Sequence, residues 1–458
     1  MPRFVSATPD SRLLPFPWDT PLAEWPTDLL VALPRGLSRH VVRFIQVGDD
    51  VLAAKEVVEH LATHEYELLR DLHRQGTPSV EPIGIVTDRR DPDGAALDPI
   101  LLTRHLEFSL PYRALFTPGV GPDTVSRLLD AMVVLIARLH LIGFRWGDVS
   151  LSNILFRRDA GAFAAYLVDA ETGELHPTLS DGQREQDLEI ARTNLFGDFL
   201  DLKVGGLLQP PFEPLDLVED IIARYHALWQ ELTGVEEFAG TEAERIEARV
   251  RRLNTLGFDV AEMDIQADTG TYNIRIQPKV VDAGHHHRRL MRLTGLDTEE
   301  NQARRLLHDL DRFHQRSAAY VDESVAAHKW LSEVFEPVMQ EVPPSLRGKR
   351  EPAQIFHELL DYRWYKSQAE RRNVPLVEAA RGYVRDVLRA LPDEAMSRDA
   401  LMPPTAADKL VNPYDPSQGF VEEGDTRPYD PWEDGVAEAP EPTGVLDIAA
   451  LRARAGNG

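Results

Sequence analysis

Apolar and polar positions change period several times along the chain. Residues 131–142, AMVVLIARLHLI, are apolar at helical spacing and predict a buried helix that Gly143 ends. Two short β-rich runs follow, Asn153-Ile154-Leu155-Phe156 and Ala165-Tyr166-Leu167-Val168, with Arg157 to Gly161 as the turn between them. Upstream, Val51-Leu52-Ala53-Ala54-Lys55 reads as a strand, and Leu61, Leu68, Leu69 and Leu72 form one face of a helix. Pro99 to Leu106 reads as a strand running into a linker. Downstream, Pro210-Pro211-Phe212-Glu213-Pro214 is a breaker, and Leu215 to Leu232 is a helix with Leu217, Ile221, Ile222, Tyr225 and Leu228 on one face. Thr241-Glu242-Ala243-Glu244 is a capping box for a helix to about Leu256. Segments 259–267 and 271–280 alternate around Asp268-Thr269-Gly270, a hairpin signal. From a second capped start at Asp297 the pattern is helical, over 318–335, 352–362 and 377–391. The class expected is α+β, with a mixed N-terminal part and a mainly α-helical C-terminal part holding a small β-hairpin.

Composition bounds this picture. At 458 residues the chain has room for two or three domains, and its 43% hydrophobic content suffices for real cores. The expected divisions are 1–208, 215–400 and a tail over 411–458. That tail is rich in Pro and Gly, with ten acids and three Arg, and is expected to be disordered. A short docking helix at Val445 to Leu451 is the one apolar interruption. The absence of Cys fits a reducing cytoplasm and excludes thiolate metal sites. No export signal opens the chain, and the run Ala131 to Ala137 is far below the roughly 20 residues that span a bilayer. A net charge of −25 argues against broad binding to nucleic acid or anionic lipid.

The chemistry concentrates in residues 139–171. Gly147-Asp148, four residues, Asn153, an apolar strand, a turn, a second strand and Asp169 have the order of a phosphoryl-transfer centre. A hairpin would hold Asn153 and Asp169 close together at its open end. Both offer oxygen to a hard cation such as Mg²⁺. Asp148, in the preceding loop, could accept a proton from an attacking hydroxyl.

The segment LHLIGFRWGDVSLSNILF resembles the catalytic segment of the protein-kinase-like superfamily. Gly147-Asp148 and Val168-Asp169-Ala170-Glu171 look closer to small-molecule kinases, such as the aminoglycoside, choline and lipopolysaccharide-core kinases. The whole chain resembles actinobacterial DUF4032 proteins, whose N-terminal half is lipopolysaccharide-kinase-like and which have no established activity. The resemblance implies a bilobal kinase-like N-terminal domain, ATP and Mg²⁺ as cofactors, and an unidentified hydroxyl-bearing acceptor. It implies that Lys55 holds the nucleotide phosphates and that Glu65 orients it, with Glu59 and Glu67 as competitors for that place. Lys55 stands out, because the chain has 43 Arg and only seven Lys, and none other precedes Lys203. The backbone of Thr103 to Leu106 would receive the adenine. Three departures keep a pseudokinase, a nucleotide-binding scaffold or sensor, as the alternative. Residues 39–50 give a hairpin with one useful glycine, Gly48, where a Gly-rich loop is expected. Trp146 replaces the usual His, and Ser150 replaces a Lys.

A second candidate lies at 285–316. His285, His286, His287, Arg288, Arg289, Arg292, Arg304, Arg305, Arg312 and Arg316 suggest a site for an anionic ligand. A metal reading would draw on the three histidines with His308, Asp309, Asp311 and His314. The bland alternative is a solvated helix face with pairs such as Glu300–Arg304.

Overall fold

Alternation in the first strands decides which face of the sheet carries chemistry. The chain begins with a six-stranded antiparallel sheet ordered β1 (Arg3–Val5), β5 (Pro82–Thr87), β6 (Ile100–Arg104), β4 (Asp50–Glu56), β3 (Val41–Val47) and β2 (Leu30–Val31). In β4, Leu52 and Ala54 pack with Trp18, Trp25 and Ile45 on one face. The period of two sends Lys55 to the other face, opposite Leu101 of β6. There Leu101 and Ile85 join the cluster of α1 (Glu59–Arg74), which buries Ala62, Tyr66, Leu69 and Leu72. The computed structural model describes residues 2–8, 10–33, 40–234, 236–239, 258–267, 273–316 and 322–395. The expected helix at 241–256, the hairpin tip at 268–270, residues 318–321 and the 411–458 tail lie outside them.

Next come β7 (Ser109–Pro111), α2 (Tyr112–Leu115) and α3 (Pro122–Leu141). The buried helix read from 131–142 is thus the C-terminal half of a longer one. Gly143, at φ +84°, turns the chain where any Cβ would collide with the His176 carbonyl oxygen. β8 (Phe144–Arg145) pairs with β11 (Glu174–Leu175), while β9 (Ile154–Asp159) pairs with both β10 (Ala162–Leu167) and β7. α4 (Asp181–Val204) and α5 (Pro214–Thr233) complete this part, with Leu217, Ile221 and Tyr225 of α5 buried in the same apolar cluster as α3.

β12 (Glu236–Ala239), β13 (Phe258–Ala267) and β14 (Asn273–Ala283) form a second antiparallel sheet, ordered β12-β14-β13. Helices follow: α6 (His285–Thr294), α7 (Glu300–Arg316), α8 (Glu323–Trp330), a π turn, α9 (Glu336–Gln340), α10 (Pro352–Glu370) and α11 (Leu376–Asp386). They bury their own cluster around Leu306, Trp330, Phe356 and Tyr383. The architecture is the expected mixed α/β, with a sheet-rich N-terminal lobe and a helical C-terminal region. Among the described residues no helix is long and apolar enough to cross a membrane.

One expectation needs correction. Arg157, Arg158 and Asp159 are strand rather than turn, and only Ala160 and Gly161 reverse the chain. The extra strand length serves an interface. Arg157 pairs with Glu299 at 2.9 Å and Glu351 at 2.7 Å, and Arg158 pairs with Glu394 at 2.9 Å. The Asp159 carboxylate accepts the backbone N–H groups of Asn301 and Gln302 at 3.1 and 2.7 Å, so the hairpin caps the start of α7. Gln302 returns a bond to the Arg158 carbonyl at 2.9 Å. Polar residues adopt strand geometry here because each finds a partner across the junction.

Candidate functional site

Lys55 Nζ lies 2.9 Å from Glu65 Oε2, 2.8 Å from Asp169 Oδ2 and 3.1 Å from Glu171 Oε2. β4 supplies the lysine, α1 supplies Glu65, and the end of the β9–β10 hairpin supplies Asp169. Glu65 is buried on the face of α1 that meets the sheet, whereas Glu59 and Glu67 are exposed. Packing therefore selects among the three acids that the sequence offered.

The charges do not balance, since one ammonium faces three carboxylates. Burial works to lower the Lys55 pKa, but Glu65 and Asp169 overcome it and hold the ammonium above its ordinary value. Burial, then the neighbouring Asp169 charge, pushes the Glu65 carboxyl up to about 8 in spite of Lys55. Oxygens of Glu65, Asp169 and Glu171 all lie within 4.8 Å of one another. Asp169 and Glu171 offer clustered, partly desolvated carboxylate oxygens of the kind a hard divalent cation takes, so their donor set is compatible with Mg²⁺. His40 Nε2 stands 3.0 Å from Glu171. His40, just before β3, thus comes to the lysine cluster, whereas the Gly48 turn sits beside Arg12. The hairpin read at 39–50 is formed by β3 and β4; β2 was not read, and residues 34–39 between β2 and β3 lie outside the described residues.

The loop before β9 is fixed from several sides. Asp148 Oδ2 accepts from Asn153 Nδ2 at 3.1 Å, and Oδ1 accepts from Asn194 Nδ2 at 2.9 Å. The Val168 N–H donates to the Asn153 carbonyl at 3.1 Å, which ties the hairpin's open end. Gly147 has φ +76°, and a Cβ there would meet the Thr172 carbonyl at 2.9 Å, so the position requires glycine. Trp146 is buried, and its indole N–H donates to the Asp169 carbonyl at 3.0 Å. It braces the loop by a hydrogen bond as well as by packing. Ser150 Oγ bonds Ser152 Oγ at 2.9 Å.

α4 anchors this loop from below. Asp187 accepts the N–H groups of Trp146 and Gly147 at 2.9 and 2.7 Å and meets His140 Nε2 at 3.1 Å. Burial opposes its charge, but His140 and the two N–H groups hold its carboxyl below the usual range. Asp198 accepts from the Leu151 N–H at 2.6 Å, and burial pushes its carboxyl up to about 6. Sequence reasoning missed Asp187, Asn194 and Asp198. Their spacing of seven and four residues places them on one helix face, so a polar stripe was the available signal.

Lys55, Glu65 and Asp169 therefore converge, and Asp148 bonds directly to Asn153. Thr103 is buried in β6 opposite Ala53, on the Lys55 face and two register positions away. Leu106 follows the strand, and its carbonyl accepts from Ser109 Oγ at 2.6 Å. The 285–316 segment is largely used internally. Glu300 accepts the N–H groups of His286 and His287 at 2.8 and 3.0 Å, Arg289 pairs with Asp311 and Glu323, and Arg305 pairs with Asp361. Asp309 accepts from the Trp330 indole at 2.7 Å. Among the described residues, the His and acid groups close enough to share an ion are Glu65, Asp169 and Glu171, and none lies at 285–316.

Two family models match separate parts of the chain. Residues 46–195 match the lipopolysaccharide kinase (Kdo/WaaP) family, and residues 227–388 match the domain of unknown function DUF4032. Among solved structures, the chain is similar to WaaP in complex with acyl carrier protein. That match has 16% identity and a TM-score of 0.31, covering 56% of this chain and 99% of that one. No curated protein matches. Residues 46–195 are thus similar to the lipopolysaccharide kinase (Kdo/WaaP) family and residues 227–388 to DUF4032, the two resemblances that the sequence carries.

Proposed function

We propose that the protein is an ATP- and Mg²⁺-dependent phosphotransferase of the small-molecule kinase type, acting on a hydroxyl-bearing acceptor. The observation that supports this best is Lys55 held between Glu65 and Asp169, with Asp148 bonded to Asn153 in the loop before β9. In this reading Lys55 holds the nucleotide phosphates as a point charge and Glu65 orients it. Thr103 and Leu106 flank the adenine. Asn153 and Asp169 hold Mg²⁺; Asn153 commits its amide nitrogen to Asp148, so its amide oxygen is the atom that serves. The bound cation supplies neutralisation of phosphate charge. The acceptor oxygen attacks the γ-phosphorus, the bond to the β,γ-bridging oxygen breaks, ADP departs, and Asp148 takes the hydroxyl proton. Asn194 and Asn153 orient the Asp148 carboxylate, and Asp187 and Trp146 fix the loop that bears it.

One observation favours a second reading, nucleotide binding without transfer: both Asp148 oxygens already accept amide N–H groups. Calorimetric binding of Mg²⁺-ATP and the rate of ADP formation decide between them in wild type, Lys55→Met, Asp148→Ala and Asp169→Asn. The phosphotransferase reading expects binding lost in Lys55→Met and turnover lost in Asp148→Ala. Wild-type binding with ADP formation that Asp148→Ala leaves unchanged would support the scaffold, and no binding at all would end both readings. We also propose that α5 packs with the kinase-like part, beyond the expected division at 208–215, because its Leu217, Ile221 and Tyr225 belong to the first apolar cluster.

A further inference from the structure

A cavity of about 970 Å³ lies where the sheet-rich lobe, α3 and the helical region meet. None of Lys55, Glu65, Asp148, Asn153 or Asp169 lines it; Leu106 of the proposed adenine segment lies on its wall, so it adjoins the nucleotide cleft without containing the lysine cluster. Its walls are residues 73–81, the face of α3 from Arg127 to Arg138, the β9–β10 hairpin and the start of α6. Its size is that of a small-molecule site.

Several carboxylates in the lining are already engaged. Glu299 and Glu351 hold Arg157, Glu81 holds Arg104, Asp130 holds Arg224, and Glu300 bonds His286. α3 adds two more guanidinium groups, Arg127 and Arg138, and α6 adds Arg288. Arg138 donates to the Gly76 carbonyl at 3.3 Å, a neutral acceptor. Arg127 is half-buried and makes no hydrogen bond or ion pair among the described residues; its compensation is the field of Asp123, one turn back on the same helix. A partly desolvated guanidinium facing a cavity without a bonded carboxylate is a place for an anion, and its planar fork suits phosphate oxygens. Ala131 and Val134 lie between Arg127 and Arg138 on the same wall and give a ligand an apolar surface.

We infer that this cavity is a second ligand site, which takes a phosphorylated small molecule through Arg127, with Arg138 and Arg288 adding positive charge to its walls. It narrows the expected anion site at 285–316 to its first residues and adds the face of α3. The site stands whether or not the lysine cleft transfers phosphate.

Pyrophosphate without metal is the probe, titrated calorimetrically into the full chain at low ionic strength. Lys55→Met is expected to keep one pyrophosphate site, and adding Arg127→Ala to it to weaken that site at least tenfold. Arg127→Ala alone is expected to leave Mg²⁺-ATP binding unchanged. Far-UV circular dichroism checks the fold, and Arg127→Gln is a milder variant expected to lose binding alike. Loss of all pyrophosphate binding in Lys55→Met, or equal binding after both Arg127 substitutions, would overturn the proposal.

Discussion

The two ends of the β9–β10 hairpin make a useful contrast. At the open end, Lys55 faces Glu65, Asp169 and Glu171, one cation against three carboxylates. At the closed end, Arg157 lies between Glu299 and Glu351, Arg158 meets Glu394, and Asp159 is satisfied by the N–H groups that open α7. Both ends are polar and largely buried, and both hold more carboxylates than cations; at the closed end the surplus Asp159 is satisfied by backbone N–H groups, whereas at the open end the carboxylates crowd around one lysine. Carboxylates crowded on one cation in a cleft offer oxygens to a ligand, whereas carboxylates bonded to arginines and backbone N–H groups in a junction fix geometry. A single hairpin thus joins the candidate chemistry to the helical region, so that docking at one end sets the position of Asn153 and Asp169 at the other.

The sharpest way to break this contrast is at the open end. Asp148→Ala should lower kcat by about 10²–10⁴-fold, the range for a lost general base, with Mg²⁺-ATP affinity within a few-fold of wild type. Steady-state kinetics beside calorimetry tests it; an unchanged kcat would remove Asp148 from the chemistry. At the closed end, Arg157→Met should destabilise the protein by about 3–5 kcal/mol, because Glu299 and Glu351 are then left buried without their cation. Chemical denaturation measures this, and a loss below 1 kcal/mol would make the junction a mere surface contact.

Smaller effects sharpen the comparison. Trp146→Phe keeps most of the packing and removes the bond to the Asp169 carbonyl, a loss of about 1 kcal/mol with a modest fall in kcat. Asp198→Asn tests pH dependence. The folded carboxyl is raised to about 6, so its contribution is fully present below its unfolded value near 3.8 and is lost as pH rises through about 6. Asn should therefore stabilise the protein at pH 7.5 by about 1 kcal/mol after solvent screening, and make little difference near pH 4. Thermal melts at the two pH values check this; equal shifts at both would show that the carboxyl is not displaced.

Much of the candidate site was legible as a string. The order Asp148, Asn153, Asp169 and the isolated Lys55 at the end of a strand are local features. The rest was hidden because it depends on long-range packing. Nothing in the order of the residues says that Glu65 rather than Glu59 or Glu67 meets the lysine; burial of one face of α1 decides it. Asp187 sits in a run of polar residues that reads as solvent-facing, yet it is fully buried beneath the loop. Arg157, Arg158 and Asp159 look like a turn until their partners arrive from residues far along the chain.

The sequence by itself determined the strand and helix periods and the residue types on which the proposed chemistry rests, since these follow from side chains and near-neighbour spacing. Only the tertiary structure decided how charge is distributed. It gathered three carboxylates on one lysine, matched the arginines of the hairpin tip, and left Arg127 facing a cavity between regions. Coulomb interactions act over a few ångströms of space and are indifferent to separation along the chain, so their balance appears only once the chain has folded.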